Sequence, residues 1–334
     1  MTAPSAEPTV RDLSEGDILR AILARLGPTS VLVGPGDDAA VLAAPDGRVV
    51  ATTDTLVHGP DFRLAWSTGY DLGWKAAAVN LADIAAMGAR PTALLVALAM
   101  PGDTRLSFVE QFADGLRAAC EALAPGCEIV GGDLTVSPTL LIAVTALGAL
   151  ENRPPVLRSG ARPGDVIAVR GDLGVARRGL DVLFRRFTDG LGDPIAVDAA
   201  ALSASDAEAV ARQLQPRPPI ADGVLAAAAG ATAMMDVSDG LALDATRMAR
   251  ASGVVLEIRS SALGADVAGA LEGGEDHALL ATFPAGADLG PFRPIGRVLE
   301  PVPDASAAPL LIDGSAYAGP GGWDPYRDWD AHGG

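Results

Sequence analysis

Apolar positions in DLSEGDILRAILARL, residues 12–26, recur at three- and four-residue spacing and predict a helix stopped by Gly27 and Pro28. Short apolar runs at AAVLAA (39–44) and RVVATTD (48–54) read as strands. DLGWKAAAVNLADIAAMGA (71–89) reads as a long helix of small residues, ending near Gly88 with Pro91 beyond. TALLVALAM (92–100) has the continuous apolar character of a buried strand. An amphipathic helix over 105–124 follows, then two further strands, EIVGGDLT (128–135) and TLLIAVTALGAL (139–150). Past a turn-rich stretch, strands are expected at VIAVRG (166–171), ATAMMD (231–236), GVVLEI (253–258) and HALLATF (277–283). Helices are expected near 174–187, 198–214 and 238–252, with a proline cluster, PRPPI, at 216–220.

Both halves mix helices with directly successive strands, which predicts an α+β (mixed α/β) class rather than one doubly wound sheet. The 334-residue length suits two domains. The stretch ENRPPVLRSGARPGD (151–165) marks the expected boundary, giving domains over 1–150 and 151–334.

Composition narrows the function classes. A formal net charge of -17 opposes a general nucleic-acid surface. No run of about 18 apolar residues predicts a membrane span. The first residues, MTAPSAEPTVRDLSEGD, lack the basic start and apolar core of a secretory signal. Cys120 and Cys127 suit neither a zinc site nor a disulfide framework, so the expected home is the cytoplasm. Lys75 is the single lysine, and it sits in GWKAAA rather than in a Gly-Lys-Ser/Thr loop. A Walker-type phosphate site is therefore excluded.

Acidic residues recur at strand ends and turn starts. Asp37 and Asp38 lie in GPGDDAAVL, Asp54 in VATTDTL behind Thr52 and Thr53, and Asp133 in VGGDLT. Asp236 and Asp239 flank Ser238 in MMDVSDGL, where Ser238 is a candidate helix N-cap. Glu275 and Asp276 follow two glycines in GGEDHALL. Asp83 lies inside the small-residue helix with Asn80 one turn before it, where an unpaired carboxylate is costly to bury. Each block alone is an ordinary turn or cap; their number points to a divalent cation. Magnesium takes carboxylate, hydroxyl and water oxygens and commonly shares itself between carboxylates and substrate phosphates. Phosphoryl transfer, which needs alignment and charge neutralisation, is the chemistry such a set would serve.

In order along the chain, GPGDDAAVL, TTDTLV, GWKAAAVNLADIAAMGARP, GGDLT, LRSGARPGD, DVSDGLALD and GGEDHALL resemble the thiamine-monophosphate kinases. These belong to the aminoimidazole ribonucleotide synthetase-like ATP-binding superfamily. The resemblance implies two domains, an N-terminal sheet that pairs across a homodimer and a C-terminal α/β domain. It implies ATP-dependent phosphorylation of thiamine monophosphate to thiamine diphosphate, with several Mg²⁺ ions, while charge and hydropathy predict no nucleic-acid or membrane partner. By the same resemblance, Asp38, Thr52, Thr53, Asp54, Asp83, Asp133, Asp236 and Asp239 are metal ligands, with Asp54, Asp83, Asp133 and Asp236 central to catalysis. Gly132, Asp133, Arg158 and Ser238 correspond to ATP contacts, and Glu275 and Trp323 to substrate contacts. The family usually has a histidine before phenylalanine after TDTLV; here Asp61 precedes Phe62, and His58 lies three residues earlier. Asp61, or His58 if the loop is rearranged, is therefore the expected substrate contact at that place. Two other functions compete with this one: a superfamily enzyme using ATP on a different small molecule, and an acidic metal-binding protein without catalysis.

Overall fold

A computed structural model describes residues 7–35, 39–301, 308–319 and 321–323. The first half builds α1 (Glu15–Leu26), β1 (Val50–Val57), α2 (Gly69–Ala86), β2 (Arg90–Met100), α3 (Leu106–Leu123), β3 (Glu128–Val136) and β4 (Leu141–Ala149). The second half builds β5 (Val166–Arg170), α4 (Val175–Arg186), α5 (Ala204–Leu214), α6 (Ile220–Ala228), β6 (Ala233–Val237), α7 (Leu241–Ser252) and β7 (Val255–Ile258). It ends with α8 (Val267–Glu272), β8 (Ala278–Phe283), β9 (Arg293–Leu299), β10 (Leu310–Ile312) and β11 (Ser315–Ala316).

The first four strands form one sheet, ordered β1-β4-β2-β3, antiparallel except for the β2–β3 pair. The other seven form a second sheet, ordered β11-β10-β7-β9-β5-β8-β6. In it only β7 and β10 run parallel.

Helix α2 starts at a capping box. Thr68 accepts from the Asp71 amide at 3.2 Å, and Asp71 accepts from the Thr68 amide at 2.9 Å. Its alanines are almost wholly buried, because it lies between the first sheet, α3 and the second half. Leu94, Leu98, Ile142 and Val144 from the sheet meet Leu72, Leu81 and Ile84 from α2 in one core. The other face of this sheet stays open: Ala51, Thr53 and Thr55 of β1 and Asp133 and Thr135 of β3 are exposed.

AAVLAA does not become a strand; Val41 makes only an isolated bridge to Val33. The run is only six residues long, and a short apolar run does not distinguish a strand from a packed loop. Helix α6 and strands β9 to β11 lacked a clear signal in the pattern. Pro219 fills the N-cap position of α6, directly before its first residue. The helix docks on α2 so closely that a Cβ at Gly223 would sit 2.2 Å from the carbonyl oxygen of Ala85.

Candidate active site

Strand β1 alternates with a period of two, so Thr52 and Asp54 point toward α2 and Thr53 away from it. Thr52 donates its hydroxyl to Asp83 Oδ2 at 2.7 Å. The Asp54 amide donates to Asn80 Oδ1 at 3.0 Å, and Asn80 Nδ2 donates to the carbonyl of Ala76 one turn earlier. Asn80 and Asp83 thus form one polar edge on the otherwise apolar second half of α2, facing β1.

The end of β6 closes this edge from the second half. Asp236 is buried and lies 3.1 Å from Nδ1 of buried His277. Burial first, then the charges of Asp236 and Asp54, push the Asp83 carboxyl up to about 7. Burial also raises Asp54, aided by Asp236, Asp239 and Glu275 and opposed by His277. Burial alone would pull His277 down, but the hydrogen bond and charge of Asp236, with Glu275 and Asp83, push it up to about 9. Acids 54, 83 and 236 therefore meet in space across the two halves and repel one another.

The loop 238–240 carries the next groups. Asp239 is held by Arg247 at 2.6 Å, and the same guanidinium holds fully buried Asp244 at 2.7 Å. Asp244 accepts from the Asp239 amide and rises to about 6, through burial and the charges of Asp236 and Asp239. Ser238 is not the N-cap of α7. Gly240, at φ 129°, occupies that position, and the Leu243 amide donates instead to the carbonyl of Gly321. The Ser238 carbonyl accepts from the Glu275 amide at 2.8 Å. Gly274 permits this approach, since a Cβ there would lie 2.4 Å from the Ser238 oxygen. The Trp323 amide donates to the Asp239 carbonyl at 3.0 Å, which brings the expected aromatic contact to the same loop with 42% of its surface exposed.

Asp61 accepts from the Val57 amide at 2.7 Å. Burial raises its carboxyl, with Glu275 adding and Lys75 opposing, so it faces the Glu275 loop. His58 instead packs beside Phe62, with ring centroids 5.6 Å apart.

Two expected ligands do not join this cluster within one chain. Pairing registers put Asp54, Val144, Val96 and Gly132 in one row facing α2, and Thr55, Ala143, Ala97 and Asp133 in the next row, on the open face. Asp133 therefore projects away from Asp54, and the Thr53 hydroxyl, bonded to the Val144 carbonyl, does so too. Strand alternation explains both. Gly132 has a packing reason of its own: a Cβ there would lie 1.9 Å from the Val96 carbonyl oxygen. Arg158 is exposed, on a stretch tied to the start of β6 and the end of α7 by the bonds Met234 N to Leu157 O and Ser252 Oγ to Arg158 O. Asp38 lies outside the described residues.

The residues that pattern reading passed over are Asp244, His277 and Lys75. Asp244 looked like one more helix charge, although its place three residues before Arg247 signals a pair. His277 stood alone in sequence and finds its acid 41 residues away.

Among the described residues, no three His, Cys, Asp or Glu side chains are grouped so as to hold a metal ion by themselves. The donors are nonetheless hard oxygens with a mutual repulsion that a divalent cation would relieve, and magnesium commonly completes its shell with phosphate and water. The set fits magnesium shared with a polyphosphate. No helix among the described residues is long and apolar enough to cross a membrane.

Residues 36–150 match the family described as AIR synthase related protein, N-terminal domain. A thiamine-monophosphate kinase of Mycobacterium tuberculosis is 42% identical over 342 aligned positions, covering 98% of this chain and 96% of the relative. The crystal structure of thiamine-monophosphate kinase from Stenotrophomonas maltophilia K279a is 32% identical, with a TM-score of 0.74 over 91% of this chain and 98% of its own. The structure of AaThiL complexed with AMPPCP and TMP is also 32% identical, with a TM-score of 0.72 over 96% of this chain and 99% of its own.

Proposed function

The chain belongs to the thiamine-monophosphate kinase family, and from that premise we propose that it transfers the terminal phosphoryl group of ATP to thiamine monophosphate, giving ADP and thiamine diphosphate. The observation that carries this is the meeting of Asp54, Asp83 and Asp236 across the two halves of the chain. Crowded carboxylates, of which Asp54 and Asp83 hold protons more tightly than usual, are poised to take up cations instead.

Asp54, Asp83 and Asp236, with Asp239 beside them and Asp38 of the GPGDD segment, are the residues that would hold magnesium. Magnesium, when bound, supplies charge neutralisation between these acids and the phosphate oxygens. Thr52 fixes the rotamer of Asp83, and Arg247 fixes Asp239. The Arg158 guanidinium suits phosphate oxygens by its forked geometry, and Ser238 and Gly132 flank the nucleotide. On the acceptor side, Glu275 and Asp61 offer negative charge to the thiazolium ring and Trp323 offers an aromatic face. ATP and thiamine monophosphate thus meet at the acid cluster for direct transfer.

Two copies of the chain pair through the open face of the first sheet. We place Asp133 and Thr53 on that paired face rather than with the Asp54 cluster. The two sheets are two domains meeting at 151–165. The working compartment is the cytoplasm, which keeps the buried free thiols of Cys120 and Cys127 reduced.

Incubation of the purified chain with ATP, Mg²⁺ and thiamine monophosphate tests the proposal. Stoichiometric ADP and thiamine diphosphate are expected. ADP formation without thiamine diphosphate, or neither product, would refute it.

A further inference from the structure

The one lysine of the chain projects from the first half of α2 into the interior, with 5% of its side chain exposed. Its ammonium meets the Glu275 carboxylate at 2.5 Å. Gln213 of α5, oriented so that both ends of its amide are satisfied, accepts from the same ammonium at 3.3 Å and donates to the Ala176 carbonyl at 3.2 Å. A buried ammonium needs such partners, because desolvation is costly unless hydrogen bonds and an opposite charge replace water.

Glu275 is differently placed. Its backbone takes φ 72°, a left-handed conformation that is strained for a residue with a Cβ, and its amide is pinned to Ser238. The side chain keeps 43% of its surface exposed. The carboxylate is thus gripped by Lys75 on one side and open on another. Asp61 lies within electrostatic reach of both and is itself pinned by the Val57 amide.

We propose that Lys75 is a positioning residue for the acceptor. It fixes the Glu275 carboxylate across the junction of the two halves, so that Lys75, Glu275 and Asp61 together present one net negative charge to the thiazolium cation. This deepens the acceptor assignment given above and rests on it. An ungripped Glu275, beside Asp61, would instead turn toward solvent and lose its fixed direction. Preorganisation of this kind strengthens binding by removing an ordering cost, not by adding a contact. The Lys75 ammonium is held by Glu275 and Gln213 rather than by the acids of the metal set, so its effect belongs to the acceptor rather than to the nucleotide.

The test uses the full chain and the variants Lys75→Met, Lys75→Arg, Glu275→Gln and the double variant Lys75→Met/Glu275→Gln. Steady-state kinetics at saturating Mg-ATP give kcat and KM for thiamine monophosphate. Calorimetry gives the Kd of a non-hydrolysable ATP analogue with Mg²⁺. Lys75→Met is expected to raise the acceptor KM by about tenfold, equivalent to ~1.4 kcal/mol, while the analogue Kd stays within about twofold. Glu275→Gln should do the same, and the double variant should be no worse than either single one. Lys75→Arg, which keeps the charge, should recover part of the loss. Should Lys75→Met fail to fold, Glu275→Gln and Lys75→Arg decide, since the first alters a partly exposed group and the second retains the cation. An unchanged acceptor KM in Glu275→Gln, multiplicative effects in the double variant, or equal loss of nucleotide affinity overturns the proposal. A wild-type chain that forms no thiamine diphosphate refutes the acceptor assignment and this inference together; product formation with flat KM values refutes only the role of Lys75.

Discussion

Thr52 donates its hydroxyl hydrogen to the carboxylate of Asp83 across 2.7 Å, tying the inner side of β1 to a helix whose buried second half is otherwise small and apolar except for Asn80. The bond explains how a carboxylate is tolerated there: it lowers the cost of ionisation that burial, Asp236 and Asp54 raise. It also keeps Asp83 on the same side as Asp54, the geometry from which the following expectations derive.

Asp54→Asn should lower kcat by at least about 100-fold, the scale seen when one fixed electrostatic group is removed from a transferring centre. The metal-free variant should melt no lower than the wild type, because the substitution removes repulsion with Asp236 and Asp239. Kinetics and circular dichroism check the two halves of this expectation, and unchanged kcat would remove Asp54 from the metal set.

Stability of the metal-free chain should fall as pH rises from about 4 to about 7. The sign follows from the Asp83 carboxyl, raised from 3.8 to about 7 in the fold. A raised carboxyl favours folding while protonated, and that contribution is lost as pH passes through the folded value. Asp244 and Asp276, each raised to about 6, act in the same direction. Thermal melts between pH 5 and 8 should show the decline, Asp83→Asn should flatten it, and Mg²⁺ with an ATP analogue should offset it by mass action. A melting temperature that rises steadily over this range would contradict the crowding of these acids.

Asp244→Ala should destabilise the chain by about 1–3 kcal/mol, because the Asp239 amide and Arg247, which keeps Asp239 and partial solvent access, lose a fully buried partner. Asp244→Asn should cost less, since the amide oxygen still accepts. Denaturant unfolding of both variants measures the difference. Asp239 should also lose its fixed position, so nucleotide affinity should weaken in Asp244→Ala.

Gly115→Ala tests the contact of α2 with α3. A Cβ at Gly115 would lie 2.1 Å from the Tyr70 carbonyl oxygen, and the reciprocal Cβ at Gly73 2.0 Å from that of Phe112. The helices must separate to admit it, at about 1–3 kcal/mol for an overpacked contact. The variant should melt lower, and activity at low temperature should persist if the acid cluster on the far edge of α2 is undisturbed.

The Lys75–Glu275 contact could not be foreseen from the pattern, which used the lysine only to exclude a phosphate loop. Helix α2 was legible because its alanine run, its closing Gly88 and the proline beyond it are local signals. Helix α6 was not, because its reason to form is the surface of α2 that it covers. Asp54, Asp83 and Asp236 were singled out as unusual acids, and the fold brings them within electrostatic reach of one another. Asp133 was singled out by the same logic, yet strand register turns it to the other face of the sheet.

What the sequence determined by itself was the inventory: oxygen donors at strand ends, a carboxylate in an apolar helix, and no lysine loop for phosphate. Those are properties of residue type and local spacing. Only the tertiary structure decided which donors share a space, because that depends on register, on strand alternation and on the docking of two halves more than 150 residues apart for Asp83 and Asp236. Electrostatic repulsion falls with distance, so acids that are unremarkable along the chain become a cation-seeking cluster once packing brings them together.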